Sequence, residues 1–240
     1  ISSGMNFDSE LGIKTNKKLN YSLKALLDNP WSSFTEKGLS FGKSFQFNQG
    51  SIGIMTSFGK NSSMDPFDSE SSNNQGMIVD FSNKSKNLGL QIGKLNEKGS
   101  FNGIASSGMF NTNKSSITNF AGINFAHENS LGYWVGSFYH GSNPGKQLNG
   151  IMNKISKSNS NAFTLGYQPK FKNSARKLVF SVSQPLKVTK GQLELQLPAF
   201  RTPNKNVLMS SHSLNMAPES KEIHSKITYE QNLKVGFING

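Results

Sequence analysis

In this 240-residue chain, histidines are the side chains that could both bind a transition metal and exchange a proton near neutral pH. There are four of them: His127, His140, His212 and His224. None is paired with another at the short spacing typical of metal ligands, so we interpret them as solvated or pore-facing side chains. The chain has no cysteine, which excludes thiolate metal sites, cysteine nucleophiles and disulfide bonds.

Two further segments resemble ligand-binding loops only in part. Asp65, Asp68 and Glu70 cluster among Ser and Asn residues, but they lack the ordered ligand positions of an EF-hand. A surface Ca²⁺ site is the alternative there to a solvated external loop, which is our interpretation. Gly141 to Gln147 is one residue too short for a phosphate-binding loop, and Gln147 replaces the required Ser or Thr. The sequence therefore predicts no metal site and no cofactor.

The strongly basic composition, with a formal net charge of +12, raises the question of nucleic-acid binding. All of the 26 basic residues except Arg176 and Arg201 are lysines. Recognition of phosphates and bases favours the planar fork of arginine, and most of these lysines lie in turn segments rather than along one face. We therefore predict solvated turn charges, with attraction to anionic lipid head groups, and no nucleic-acid partner.

The elements that must position these residues are strands. From Gly38 onward apolar residues alternate with Ser, Gly, Gln and Asn, as in Leu39, Phe41, Phe45 and Phe47, and Gly, Asn, Ser and Pro separate the runs. Short alternating runs at even spacing predict an all-β sandwich or barrel. No run approaches the ~18 apolar residues of a membrane helix, but membrane strands need only every second residue to be apolar.

The lengths of the connections favour a barrel over a sandwich. The expected connections are alternately short and long: 48–49, 60–75, 83–87, 96–116, 128–131, 141–159 and 172–176. Outer-membrane barrels have short turns at one end and long loops at the other. The alternation weakens after Pro185, where only about six residues separate the expected strands, fewer than a long loop needs.

The small, neutral polar face is typical of a narrow, wet pore, so we predict that the apolar faces point outward to lipid. That outward set includes Leu193, Leu195 and Leu197. Lys43 lies among the Phe residues and would have to reach the head groups from near a strand end. Six aromatic residues near strand ends fit an interfacial girdle or, equally, an ordinary core: Trp31, Tyr133, Trp134, Tyr139, Tyr167 and Tyr229.

Residues 1–37 have a different pattern. Leu19, Leu23, Leu26 and Leu27 recur at helical spacing, and Asn29-Pro30 would end the helix. We predict a short helix over Tyr21–Leu27 that does not join the sheet and acts as a linker inside the pore, where Lys17, Lys18 and Lys24 meet carboxylates or water. A further strand or an external amphipathic cap is the alternative.

The last quarter of the chain carries a family pattern. It consists of SVSQPLKV from Ser181, G-x-x-x-L-x-L-P from Gly191, R-T-P-N-K-x-V from Arg201 and L-x-M-A-P-E-S-K-E-I from Leu214. This pattern resembles the C-terminal region of subtilisin-like autotransporter peptidases of Gram-negative bacteria, which more often have Arg at Lys187 and Lys221. The resemblance implies an outer-membrane translocator that carries an N-terminal passenger peptidase and is inserted by the barrel-assembly machinery.

Two segments resemble pieces of the subtilisin active site but lack its essentials. His140-Gly141-Ser142 is followed by the turn Asn143-Pro144-Gly145, where the peptidase has a helix start. Asn215 to Pro218 lacks the Gly-Thr-Ser that would supply the nucleophile. We predict no catalytic residue in this chain and expect the peptidase domain to precede Ile1.

The sequence thus predicts an all-β fold, an antiparallel up-and-down transmembrane β-barrel of about twelve strands when complete. Residues 1–37 form a linker or pore helix, and residues 38–240 form a barrel domain that we expect to continue beyond Gly240, because the alternation is unbroken there. The predicted function is a translocator and anchor in the outer membrane of a Gram-negative bacterium. The alternatives are a soluble, secreted β-sandwich module attached to a subtilisin-like peptidase, and a free-standing barrel enzyme or porin.

Overall fold

The computed structural model of the chain describes residues 21–35, 38–62, 71–83, 87–101, 104–105, 115–148, 151–171 and 176–231. The predicted acidic cluster at Asp65, Asp68 and Glu70, together with Lys17 and Lys18, lies outside these ranges. No helix in the described part of the chain is long and apolar enough to cross a membrane.

The described chain is built almost entirely of strands. Its elements are a short helix α1 Tyr21–Ala25, a 3₁₀ turn Ser32–Thr35, and the strands β1 Gly38–Gln46, β2 Gly50–Ser62, β3 Ser71–Asn83, β4 Leu88–Lys98, β5 Ser100–Phe101, β6 Ile104–Ala105, β7 Ser115–Glu128, β8 Gly132–Asn143, β9 Lys146–Gln147, β10 Met152–Ile155, β11 Ser158–Pro169, β12 Arg176–Lys190, β13 Gln192–Arg201, β14 Val207–Asn215 and β15 His224–Gln231.

Nine of these strands form one sheet in the order β1-β2-β3-β4-β7-β8-β11-β12-β15. Every neighbouring pair is antiparallel and adjacent in the chain once the strands within the connections (β5, β6, β9, β10, β13 and β14) are set aside. The pairs share one register over most of their length, as in Val79 opposite Ile92 and Ile92 opposite Ala121. The predicted all-β, antiparallel fold is confirmed for the described residues, and the up-and-down order is confirmed for the nine strands of the main sheet.

Consecutive antiparallel strands place their connections at opposite ends of the sheet in turn. The connections 47–49, 84–87, 129–131 and 170–175 therefore share one end, the short-turn end. The connections 63–70, 99–114, 144–157 and 191–223 share the other, the long-connection end. This confirms the predicted alternation. The long connection that the sequence pattern did not show after Pro185 is present in the structure. β12 continues to Lys190, and the connection 191–223 contains the hairpin of β13 and β14.

That hairpin corrects one prediction. β13 and β14 belong to a separate four-stranded sheet, β14-β13-β10-β9, built from the connections at the long-connection end. Leu193, Leu195 and Leu197 are therefore not on the outer face of the main sheet. Leu193 packs instead against a small buried cluster formed by Phe101, Leu148 and Ile155. The period-two pattern identified a strand correctly, but it carries no information about which sheet the strand joins.

The two faces of the main sheet have opposite exposure. Large apolar side chains alternate outward and remain exposed: Leu39, Phe41, Phe45, Ile54, Phe58, Met77, Phe81, Leu88, Leu90, Ile92, Ile123, Phe125, Phe138, Leu165, Phe180, Val182 and Ile227. We call this the outer face. The opposite, inner face buries polar residues: Ser51, Ser57, Asn74, Asp80, Gln91, Glu97, Ser116, Thr118, Asn124 and Ser137. The predicted exposure of the apolar faces is thus confirmed for the main sheet.

Lys43 lies on the outer face of β1, as predicted, with its Nζ 5.1 Å from the centre of the Phe45 ring. The aromatic residues divide between the two faces. The rings of Trp134 and Tyr167 lie together on the outer face, tilted by 33° with centres 4.4 Å apart. Trp31 and Tyr139 are buried instead. For these two residues the girdle interpretation is wrong and the core interpretation is right.

Candidate functional site

The inner face is occupied by residues 21–35 of the same chain, which we call the inner segment. It begins with α1 and ends with the 3₁₀ turn, and it is not paired into the main sheet. The helix prediction over Tyr21–Leu27 is therefore confirmed in kind, with α1 ending at Ala25 and a turn following. The predicted stop at Asn29-Pro30 lies beyond the end of α1, which gives way to a turn at Leu26 and Leu27.

The helical end of the inner segment is held by apolar contacts near the short-turn end. Leu23 and Leu27 are fully buried in a cluster with Ala126, Val135 and Val179 from β7, β8 and β12. Leu23 lies in α1 and Leu27 in the turn that follows it, and both side chains face the sheet.

Glycine makes room for this helix on the sheet. A Cβ atom at Gly166 of β11 would come within 2.4 Å of the Leu26 side chain, so only glycine fits there without rearrangement. Gly166 belongs to the alternating Ser/Gly/Gln pattern of the inner face, and its role is to allow close approach of the inner segment.

Trp31 is the central anchor of the inner segment. Its side chain is 1% exposed, and its ring stacks on Phe120 with centres 4.8 Å apart and meets the edge of Tyr139 at 6.3 Å. A Cβ atom at Gly141 would come within 2.3 Å of the Trp31 ring. The indole Nε1 is buried and has no hydrogen-bond partner among the described residues, and the described contacts of the ring are packing contacts.

Side chains of the sheet bind the carbonyl groups that the end of α1 leaves free. The Leu26 carbonyl accepts hydrogen bonds from Thr164 Oγ1 and from Ser137 Oγ, the latter at 3.1 Å. The Tyr139 hydroxyl lies 3.3 Å from the Leu27 carbonyl. The last carbonyls of a helix need such partners when they are buried away from water, and hydroxyls of β8 and β11 supply them.

A buried polar chain links the middle of the inner segment to β3 and β4. Asn29 Nδ2 donates to Gln91 Oε1 at 3.1 Å, and Gln91 Nε2 donates to Asp80 Oδ2 at 3.0 Å. The Tyr139 hydroxyl also lies 3.0 Å from Gln91 Oε1, while Asn29 Oδ1 accepts from the Trp31 backbone N–H at 2.9 Å. Fully bonded buried networks of this kind fix one geometry, because any displaced member leaves a partner unpaired.

The far end of the inner segment is bound near the long-connection end. Thr35 Oγ1 lies 2.9 Å from Ser57 Oγ, and Asn74 Nδ2 donates to the Phe34 carbonyl at 2.9 Å. Asn74 Oδ1 in turn accepts from Ser100 Oγ at 3.3 Å. The inner segment therefore contacts strands from β2 to β12 as it passes from the short-turn end to the long-connection end.

The side chains that the sequence singled out for chemistry lie elsewhere. His140 is on the outer face, with Nδ1 2.6 Å from Asn161 Oδ1, and His212 and His224 are exposed beside Ser210 and Glu222. Across the described ranges, no group of three His, Asp or Glu residues could hold a metal ion. The exposed positions of these histidines agree with the solvated interpretation.

Sequence reasoning identified the inner segment but missed its partners. Gln91 and Asp80 were not singled out, although Gln91 sits on the polar side of an alternating strand, and Tyr139 was considered only as a girdle or core aromatic. The sequence signal for Gln91 and Asp80 was their size and polarity. Each is a large polar or charged residue on the side of its strand that also carries Gly or Ser. Lys24 was expected to meet carboxylates or water; it is half-buried and makes no ion pair with a described residue.

Comparisons of the chain with protein-family models, with curated proteins and with solved structures find no match. The function therefore has to be inferred from the distribution of side chains over the two faces and from the inner segment.

Proposed function

We propose that this chain forms a transmembrane β-barrel of a Gram-negative outer membrane, which anchors and translocates an N-terminal passenger peptidase. The observation that carries the proposal is the inverted distribution of side chains. Apolar residues of all nine strands are exposed on one face, while the other face buries Ser, Asn, Gln, Asp and Glu together with the apolar side chains that pack on the inner segment. Soluble proteins rarely expose a continuous apolar patch of more than a few hundred Å². Lipid is the solvent that makes this arrangement stable.

The position of the apolar band gives independent support. Its centre moves steadily from Val79 in β3, through Leu90, Ile123 and Leu165, to Phe180 in β12. We call a line of residues that lie opposite one another across the sheet a register row. Val79 lies in the same row as Ala121 of β7, whereas Phe180 lies in the same row as His127, which is six positions further along β7. A shift of six residues over five strand spacings corresponds to a strand tilt of about 40°. Strands of outer-membrane barrels are tilted by about 35–45° to the membrane normal.

Lipid also requires closure of the sheet. The main sheet ends at β1 on one side and β15 on the other, and these strands are not paired with each other. Unpaired backbone groups cost several kcal/mol each in hydrocarbon, so we propose that further strands close the sheet into a barrel of about twelve. The soluble β-sandwich alternative would need a second sheet over the outer face, and the four-stranded sheet lies instead among the long connections.

The inner segment supports the translocator role. A chain that joins a passenger to a barrel must cross the membrane inside the pore, because lipid does not accept unpaired backbone. Residues 21–35 lie along the inner face from the short-turn end to the long-connection end, so the proposed pore has room for a chain segment along its length. The resemblance of the last quarter of the chain to autotransporter translocators points to the same role.

The membrane proposal is tested by production of the complete protein in a Gram-negative host and by electrophoresis of isolated outer membranes with and without heating. We expect the unheated protein to migrate faster than the heated protein, and to stay with the membranes after extraction with alkaline carbonate. Recovery in the soluble periplasmic or medium fraction, with no effect of heating on mobility, would favour the secreted β-sandwich. The passenger role is tested separately by protease digestion of intact cells, which should remove a domain that precedes residue 1.

A further inference from the structure

The motifs that carry the family resemblance do not lie mainly in strands of the main sheet. G-x-x-x-L-x-L-P covers Gly191 to Pro198, and R-T-P-N-K-x-V covers Arg201 to Val207. Both fall on the hairpin of β13 and β14, which we call the ribbon, residues 192–215. Nothing in the anchoring or translocating role described above uses this hairpin.

The ribbon extends away from the main sheet at the long-connection end. β13 is antiparallel to β10, and β10 leads directly into β11, which is antiparallel to β12. β13 therefore continues in the direction of β12, beyond Lys190. With ten residues in β13, the ribbon reaches about 33 Å past the end of β12.

One face of the ribbon is apolar and only partly covered. The cross-strand pairs place six apolar side chains on this face: Leu193, Leu195, Leu197, Phe200, Leu208 and Leu214. At the base, Leu193 packs on the cluster of Phe101, Leu148 and Ile155. Toward the tip the cover ends, and Phe200 and Leu208 are 62% and 43% exposed. The opposite face carries Gln192, Glu194, Gln196, Ser211 and Ser213 along most of its length, with Met209 and Val207 near the tip.

The tip that presents these side chains is held rigidly. Thr202 Oγ1 accepts a hydrogen bond from the Asn206 backbone N–H at 3.1 Å, and the Lys205 N–H donates to the Thr202 carbonyl at 2.9 Å. Lys205 adopts a left-handed backbone with φ of 63°, and Arg201 Nε donates to its carbonyl at 3.3 Å. A surface fixed in advance loses little conformational entropy on binding.

The exposed tip of the ribbon is positively charged. Arg201 and Lys205 are exposed at the tip. The single acidic residue of the ribbon, Glu194, is paired with Lys154 at 3.1 Å near the base. A partner that covered the apolar face would therefore meet cations at its edge and match them with carboxylates.

We propose that the apolar face of the ribbon is a docking surface for a protein domain with an apolar patch bordered by carboxylates, namely the passenger domain. This inference rests on the proposed function, which places the long-connection end, and the passenger, outside the cell. A ribbon that reaches about 33 Å from the main sheet is too far from the hydrocarbon for lipid to cover its tip.

The experiment places a photo-crosslinking amino acid at Phe200 in the complete gene product, produced in intact cells. The matched control is Met209, which is on the opposite face of the same hairpin and is exposed at 50%, against 62% for Phe200. We expect Phe200 to form an intramolecular crosslink that mass spectrometry maps to residues preceding Ile1, at least tenfold more often than Met209. Crosslinks to a second copy or to lipid, or equal yields from both positions, would overturn the proposal.

A double substitution, Phe200→Ser with Leu208→Ser, gives a second readout. We expect it to leave the heat-modifiable mobility of the barrel unchanged while the passenger becomes at least severalfold more sensitive to protease. The control is Val207→Ser with Met209→Ser, which should leave both unchanged. If the barrel is heat-modifiable but the two pairs behave alike, the docking surface is wrong and the membrane function stands. If no variant, nor the parent protein, is heat-modifiable, the membrane function itself is wrong.

Discussion

Trp31 contributes the largest buried side chain of the inner segment, and its ring packs between β7 and β8. We expect Trp31→Ala to lower the free energy of unfolding by about 3–5 kcal/mol, because it leaves a large cavity on Phe120. Trp134→Ala, on the outer face, is the control and should cost much less, since that ring is 37% exposed. Urea unfolding in detergent micelles measures both losses. The folded fraction is read from heat-modifiable electrophoretic mobility, because tryptophan fluorescence would change with either substitution. Equal losses would mean that the inner segment does not stabilise the fold.

Gly141 gives a sharper test of the same contact. A side chain at this position collides with the Trp31 ring, so Gly141→Val should destabilise the protein by about 1–3 kcal/mol through overpacking. The collision disappears when the ring is removed. We therefore expect the Gly141→Val and Trp31→Ala costs to be clearly non-additive in the double mutant, measured by the same unfolding assay. Additive costs would show that the two residues are not in contact.

Gln91 connects Asn29 of the inner segment to Asp80 of the sheet. Gln91→Leu keeps the approximate volume but leaves both partners with one hydrogen bond fewer, which should cost about 1–3 kcal/mol. Gln75→Leu is the matched control, because Gln75 is exposed on the outer face of β3. Unfolding midpoints in urea compare the two, and an equal effect at both positions would contradict the network.

At the scale of the element, the inner segment is a helix and a turn laid on a sheet, and its protection can be measured directly. The chain has no cysteine, so a single Lys24→Cys variant reports on one position alone. We expect its thiol to react slowly with a bulky maleimide in intact cells and quickly after unfolding. Lys205→Cys, at the exposed ribbon tip, should react quickly in both states. Fast labelling of Lys24→Cys in folded protein would place the segment on the surface.

The elements also show how far sequence patterns reach. Alternation identified the strands of the main sheet, and Leu spacing identified the helix, which ends before the predicted stop at Asn29-Pro30. The same alternation misplaced Leu193, Leu195 and Leu197, because a hairpin in a long connection has the same period as a strand of the main sheet. The hydrogen bonds of Gln91 with Asn29 and Asp80 were out of reach as well. Such contacts join residues 62 and 11 positions apart, and no local pattern encodes them.

At the scale of the whole molecule, the tilt of the apolar band makes a prediction that no single strand makes. Val79 and Asn161 lie in the same register row. Under the proposed function the band would nevertheless place Val79 at mid-membrane and Asn161 beyond the edge of the membrane. We expect Val79→Arg to destabilise the inserted protein by about 2–4 kcal/mol and Asn161→Arg by about 0–1 kcal/mol. Unfolding from lipid vesicles measures both. Equal costs would mean that the strands are not tilted in a membrane.

The direction in which the inner segment runs has a consequence for the path of the exported chain. Leu23 and Leu27 pack at the short-turn end, Thr35 reaches the long-connection end, and β1 then leads back. Under the proposed function, Leu23 therefore lies toward the periplasmic end of the pore and Thr35 toward the external end. The inner segment would then be the outward-running arm of a folded-back chain whose returning arm is β1, rather than a linker that descends directly from an external passenger.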